Sequence, residues 1–277
     1  MKRKAIALFL ILTIFATMEN MFIRNESKAS SPVTAKNAGG DVLGNTDGFL
    51  LASQQNQATV YVDAEHEEIS EGEGNEYCGL KIITDTFAKD VELVTGNPAN
   101  VVTSALELSG NVIIAGTIGH NDVIDALIAN GSIDVSAMYK DGELKWDCYQ
   151  MQFISGDLLA ACGYNGISQA LVIASSNKRG AMYGLFHISE HIGVSAWVYM
   201  ADAAPVTYES VYLDENLLEF NQPNLYVAKE PSVKYRGFFI NDESPSFTGW
   251  ANQAFRGLNE DCYQHIFELL IRMKANY

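Results

Sequence analysis

The chain has 277 residues, 48% hydrophobic and 19% charged, which is enough apolar material for a sizeable core and too much for a disordered tail. Lys and Arg total 18 against 34 Asp and Glu, a net charge of −16. That balance excludes a nucleic-acid binder, which needs a basic footprint to displace counterions from phosphates, and it excludes attraction to an anionic membrane surface. A weakly anionic substrate stays compatible, provided a local cation meets its charge.

Lys2, Arg3 and Lys4 precede an apolar run over residues 5–18. The run is short of the roughly 20 residues a membrane span needs, and it fits the apolar core of a secretory signal peptide. Ser27-Lys28-Ala29 puts small residues at the two positions a signal peptidase reads. Cleavage is expected after Ala29, giving a secreted or cell-surface protein with no membrane contact once residues 1–29 are removed. Residues 30–57 are rich in Ser, Asn, Gly and Gln and read as a linker with little fixed structure, apart from a short apolar patch at residues 49–51.

An N-terminal α/β domain is expected over residues 58–229. Residues 59–62 read as a strand. Residues 79–95 carry Leu80, Ile83, Phe87, Val91 and Val94 at helical spacing, with Gly96 as the stop. Residues 112–115 form a fully apolar strand, followed by the loop Gly116-Thr117-Ile118-Gly119 and a helix over 122–129 with Asn121 as N-cap. Further strands are predicted over 149–154 and 170–174, and a helix over 180–192 closed by Gly193. Apolar strands alternating with helices argue for an α/β layer with a mostly buried sheet. Cys78, Cys148, Cys162 and Cys262 contain no C-x-x-C pair. Export permits disulfides and three pairings exist, but unpaired, partly buried thiols suit a chain with this much core.

A second unit is expected over 230–277. Residues 235–240 read as a strand ending in Asn241-Asp242-Glu243, and residues 261–274 as an amphipathic helix. Residues 275–277 look like the start of another strand. Strand, loop, helix and strand make one unit of a (β/α) barrel, here incomplete, because a lone unit cannot bury both faces of its strands.

Three groups of residues could carry chemistry. His187-Ile188-Ser189-Glu190-His191 matches the H-x-x-E-H zinc pattern. The same helix must also bury Tyr183, Phe186, Ile188 and Ile192, and no third ligand follows, so no metal is expected. The loop from Gly116 to His120 could cradle an anion, but it lacks the P-loop Lys and a full G-x-G-x-x-G, so no cofactor is expected. Asn241, Asp242 and Glu243 lie where a barrel strand would reach the active-site face; carboxylates beside an amide suit sugar hydroxyls and acid–base work.

Several stretches together resemble glycoside hydrolase family 115. They are Tyr61-Val62-Asp63-Ala64-Glu65, Tyr149-Gln150-Met151-Gln152, Lys178-Arg179-Gly180 with Tyr183-Gly184, and Ile188-Ser189-Glu190-His191-Ile192-Gly193-Val194-Ser195 with Trp197. Tyr235-Arg236-Gly237-Phe238-Phe239-Ile240-Asn241-Asp242-Glu243 and Thr248-Gly249-Trp250-Ala251 resemble the start of that family's catalytic barrel, and residues 267–277 its first helix and second strand. Ala196 departs from the family's usual Pro, and Val198-Tyr199-Met200 from a more aromatic run.

The resemblance implies an inverting xylan α-glucuronidase releasing glucuronic acid or its 4-O-methyl ether, with glucuronoxylan or aldouronic acids as substrates. It implies an N-terminal domain similar to those of hexosaminidases, ahead of a (β/α)8 barrel. Asn241 and Asp242 would line the uronic-acid pocket, with Glu243 a weaker neighbour. The catalytic carboxylates would lie beyond Tyr277, so the chain alone is expected to be an inactive fragment. Two alternatives have different requirements. A carbohydrate-binding or assembly module ending near Tyr277 would have to cover its apolar faces, for instance as a homo-oligomer. A hexosaminidase-like barrel glycosidase would share the N-terminal domain.

Overall fold

The computed structural model describes residues 41–66, 78–201 and 203–277. The expected leader, and the first part of the expected linker, lie outside the described residues. The strands are β1 (Val42–Leu43), β2 (Phe49–Ser53), β3 (Thr59–Tyr61), β4 (Asn100–Val102), β5 (Gly110–Thr117), β6 (Tyr139–Lys140), β7 (Glu143–Leu144), β8 (Tyr149–Ser155), β9 (Ile167–Ser175), β10 (Ser210–Leu213) and β11 (Tyr226–Val227). The helices are α1 (Gly79–Thr95), α2 (Asp122–Ala129), α3 (Gly156–Ala161), α4 (Lys178–His191), α5 (Phe247–Phe255) and α6 (Glu260–Arg272).

The main sheet has the order β11-β8-β9-β5-β3-β4. From β9 to β4 neighbouring strands run parallel, whereas β8 pairs antiparallel with β9 and β11 antiparallel with β8. Strand side chains alternate faces, and both faces are buried here. Ile113 and Ala115 of β5, with Leu171 and Ile173 of β9, pack with α1 and α4. Val112, Ile114, Ala170 and Val172 pack on the other side with Val123, Ile124 and Leu127 of α2. The result is helices on both faces of a largely parallel sheet, the α/β class read from the sequence.

Local chemistry sets the helix limits. Cys78 Sγ accepts from Lys81 N at 3.3 Å at the start of α1, and Gly96 ends it in the left-handed region with its N–H on Glu92 O at 2.7 Å. Leu80, Phe87, Val91 and Val94 are at most 2% exposed, and burial of such side chains is worth about 1.5–3 kcal/mol each. Asn121 Oδ1 caps α2 at Ile124 N, 3.1 Å away.

Residues 41–57, read from the sequence as linker, are built into the domain instead. The patch at Phe49–Ser53 is β2, paired antiparallel with β10, while β1 runs parallel along the other edge of β10. Phe49, Leu51, Val211 and Leu213 are all at most 1% exposed. The partner strand lies some 160 residues downstream, so local composition could not reveal the pairing.

The expected strand over 235–240 is not formed in the described residues. Its backbone-to-backbone bonds with residues 276–277 are confined to Arg236 O, which accepts from Asn276 N at 2.8 Å and Tyr277 N at 3.0 Å, while Arg236 N donates to the Asn276 side chain at 2.9 Å. Bonds to a single carbonyl do not make a ladder. Phe239 stays 89% exposed. Helix α6 forms as the periodicity demands, and α5 precedes it on Thr248-Gly249-Trp250-Ala251.

Candidate functional site

Asn241, Asp242 and Glu243 lie together in an exposed loop ahead of α5. Asn241 Nδ2 donates to Glu243 Oε1 at 2.6 Å, so these two side chains hold each other. Thr248 Oγ1 donates to Asp242 O, and Ser246 Oγ to Glu243 O at 3.1 Å, folding the loop back over the start of α5. Among the described residues the Asp242 carboxylate accepts no hydrogen bond and joins no ion pair. It is an open acceptor on a loop whose backbone is fixed.

What fixes that segment to the α/β domain is Asp147, at the turn before β8. Its side chain is fully buried and accepts from Arg236 Nη2 at 2.8 Å, Asn177 Nδ2 at 2.9 Å, Asn276 Nδ2 at 3.0 Å and Arg179 Nε at 3.1 Å. Burial alone would raise its pKa, but the bonds from Arg236 and Asn177 and the charge of Arg179 outweigh burial and hold it below the usual carboxylate value. Arg236 also donates through Nε to Lys274 O at 2.8 Å, and Tyr183 of α4 donates to Ala275 O at 3.0 Å. One carboxylate thus clamps both ends of the 236–276 segment onto α4. Sequence reading missed Asp147, since its partners lie 30 to 129 residues away.

The histidine pair on α4 belongs to the core. His187 Nε2–H donates to Leu218 O at 2.9 Å, which leaves Nδ1 to accept from the Tyr149 hydroxyl at 3.0 Å. Burial pushes its pKa down to about 3, so the ring is neutral and has no nitrogen left for a metal. His191 stacks on it at 4.2 Å and donates through Nδ1 to His187 O at 2.7 Å.

The Gly116–Gly119 loop holds an anion supplied by the protein itself, because Gly119 N donates to Asp125 Oδ1 at 2.8 Å. His120 is exposed, with Nδ1 3.2 Å from His66 O. Nearby, Asp63, His66 and Asp122 bring ligand-type atoms within 4.8 Å of one another where β3 and β5 end. The Asp63 carboxylate is already engaged there by His66 N at 3.2 Å, Asp122 N at 3.3 Å and the His66 ring at 3.0 Å. It therefore acts as a cap for this corner of the sheet. The hydrogen bond and charge of Asp63 raise the His66 pKa.

The sequence profile of Glycosyl hydrolase family 115 matches residues 228–277, the stretch that carries Asn241, Asp242 and Glu243. A solved family 115 4-O-methyl-α-glucuronidase, described as specific for decorated arabinogalactans, superposes with a TM-score of 0.58 at 27% identity. The match covers 82% of this chain and 25% of that one, so the chain spans about a quarter of the length of that relative. No curated protein matches the chain. The profile falls on the 228–277 segment, the superposition runs through most of the α/β domain as well, and both point to the family whose motifs the sequence resembles: the chain is similar to glycoside hydrolase family 115.

Proposed function

We propose that the chain forms the N-terminal part of a secreted, inverting α-glucuronidase that releases glucuronic acid or its 4-O-methyl ether from polysaccharide side chains. The observation that carries this reading is the match of the family profile to residues 228–277, where the unpartnered Asp242 carboxylate lies on a clamped loop. The α/β layer is the platform, and residues 230–277 open the catalytic (β/α) barrel. Inversion needs one carboxylic acid to protonate the leaving oxygen and one carboxylate to activate water on the opposite face of the sugar. Asn241 and Asp242 contact the uronosyl group in this scheme, and the acid, the base and the uronate-binding cation come from later barrel strands.

The polymer is glucuronoxylan by family resemblance, while the solved relative is described as specific for decorated arabinogalactans. The shared chemistry is a terminal (4-O-methyl)glucuronosyl group. The natural secreted product should have an intact mass well above the 30.4 kDa of this chain and should release uronic acid from aldouronic acids. The 277-residue chain alone should release none. A natural product that leaves every aldouronic acid intact sinks the reading.

A further inference from the structure

A cavity of about 220 Å³ opens at the N-terminus of α4, lined by Leu144, Trp146, Ser176, Asn177 and three cationic residues, Lys145, Lys178 and Arg179. In a chain of net charge −16, this small cavity brings three cationic side chains together. Lys234 adds a fourth, its Nζ lying 4.3 Å from the centre of the Trp146 ring. Among the described residues, Asp147 is buried among its own partners, and Glu230 Oε1 accepts from Trp146 N at 3.0 Å.

The donors of this cavity are not all used. Arg179 binds Asp147 through Nε, which leaves both Nη groups of its fork without an acceptor among the described residues. The Trp146 indole Nε1–H is buried and has no acceptor either. Lys145 Nζ donates to Ala137 O at 2.6 Å and keeps further N–H donors and its charge. The first turn of a 14-residue helix adds its positive end, with Gly180 N capped by Asn177 Oδ1 at 3.0 Å. A guanidinium fork, an ammonium, an indole and a helix N-terminus together select a planar oxyanion on a ligand with an apolar face.

We propose that this cavity is a binding subsite for a sugar carboxylate, with the Arg179 Nη groups on the carboxylate, Lys145 as the second charge and Trp146, whose ring lies under Arg179 and Lys234, lining the site. It is separate from the Asn241–Glu243 loop and would hold an acidic side-chain sugar of the polymer on the N-terminal domain. The choice of a uronate rests on the glucuronidase reading. The site chemistry itself requires only an oxyanion, for which inorganic sulfate is the other source.

The test is an NMR titration of the chain that follows the indole N–H of Trp146, one of three tryptophans, assigned by its loss in Trp146→Phe. Sodium glucuronate should shift that resonance saturably, glucose should not, and sulfate should bind more weakly at equal ionic strength. Arg179→Lys, which keeps a charge for Asp147 but loses the fork, and Lys145→Gln should each weaken glucuronate about tenfold. Both variants should keep the wild-type pattern of amide resonances. The proposal is overturned by no saturable shift, by equal response to glucose, by sulfate binding at least as tightly, or by full binding in both variants. Uronic-acid release by the secreted product is a separate readout, so failure here and failure of the glucuronidase reading are distinguishable.

Discussion

Asp90 of α1 and Arg272 at the end of α6 form a two-pronged ion pair, Oδ2 to Nη1 at 2.8 Å and Oδ1 to Nη2 at 2.7 Å, joining residues 182 apart in the chain. The two side chains are 0% and 3% exposed, and Arg272 also meets Glu268 Oε1 at 2.8 Å and lies over the Phe186 ring. Burial disfavours the Arg272 charge, but the bonds and charges of Asp90 and Glu268 more than offset that and hold it protonated. Asp90→Ala therefore leaves a buried charge with half its partners, at a cost of about 3–5 kcal/mol. The double change Asp90→Leu with Arg272→Met removes both charges and should recover most of that loss. Urea unfolding of the two variants reads the difference. Equal stabilities would mean that the pair is not desolvated.

Asp147 should act as the latch for residues 234–277. Asp147→Asn keeps the shape but removes the charge that Arg179 and Arg236 share. Amide exchange in that stretch should then speed up, with α1 and the main sheet protected as before. Its folded pKa lies below the ordinary value, so its contribution is complete above the usual carboxylate range and is lost as pH falls through the lowered value. The variant should lack that part of the acid dependence. Exchange rates at residues 234–277 matching the wild type would rule the latch out.

What could be read from the sequence divides by contact range. Helix α1 was legible to the residue because Leu80, Ile83, Phe87, Val91 and Val94 repeat at helical spacing and Gly96 stops them. Helix α2 was announced by Asn121 in the same way. Strand β2 was not, because Phe49–Ser53 gains its partner only when β10 arrives, and short apolar patches carry no period. Short β4, with an exposed first residue, left no pattern either. At the candidate site, Asn241-Asp242-Glu243 stood out by composition, while Asp147 and Arg179 acquire meaning only from partners far along the chain. Conversely, H-x-x-E-H was a visible pattern whose first histidine the fold uses up in hydrogen bonds to Tyr149 and Leu218.

His187 gives the fold a second acid dependence of the same sign, set at higher pH. Its folded pKa of about 3 lies below the ordinary imidazole value near 6.5, so the unfolded chain takes up a proton that the folded chain refuses. Its neutral burial therefore stabilises fully above about pH 6.5, and the stability falls by about 1.4 kcal/mol per pH unit on acidification from there toward 3. His187→Gln should flatten that slope, while losing about 1–3 kcal/mol at neutral pH from the bonds to Tyr149 and Leu218. Unfolding free energies at several pH values between 4 and 7 check this, after normalisation for the carboxylates common to both proteins. An unchanged slope would place the acid sensitivity elsewhere.

Gly180 and Gly249 are each the third residue of a helix, α4 and α5, and they should respond in opposite directions to alanine. A Cβ at Gly180 would stand 2.2 Å from Cys148 O and 3.0 Å from the Ser175 Cβ, so the helix could not keep its place against β9 and the start of β8. Alanine has the better helix propensity by roughly 1 kcal/mol, but a clash with a backbone carbonyl at that distance exceeds it. At Gly249 the nearest atom, Pro245 Cβ, is 4.0 Å away, so the propensity gain stands alone. Gly180→Ala should lower the melting temperature by several degrees and Gly249→Ala should raise it slightly. The comparison is internal, since propensity is common to both sites and only the distance to the neighbouring backbone differs. If Gly180→Ala melted no lower than the wild type, the close approach of α4 to the sheet would be refuted, and with it the placement of the Asn177 and Arg179 side chains on Asp147.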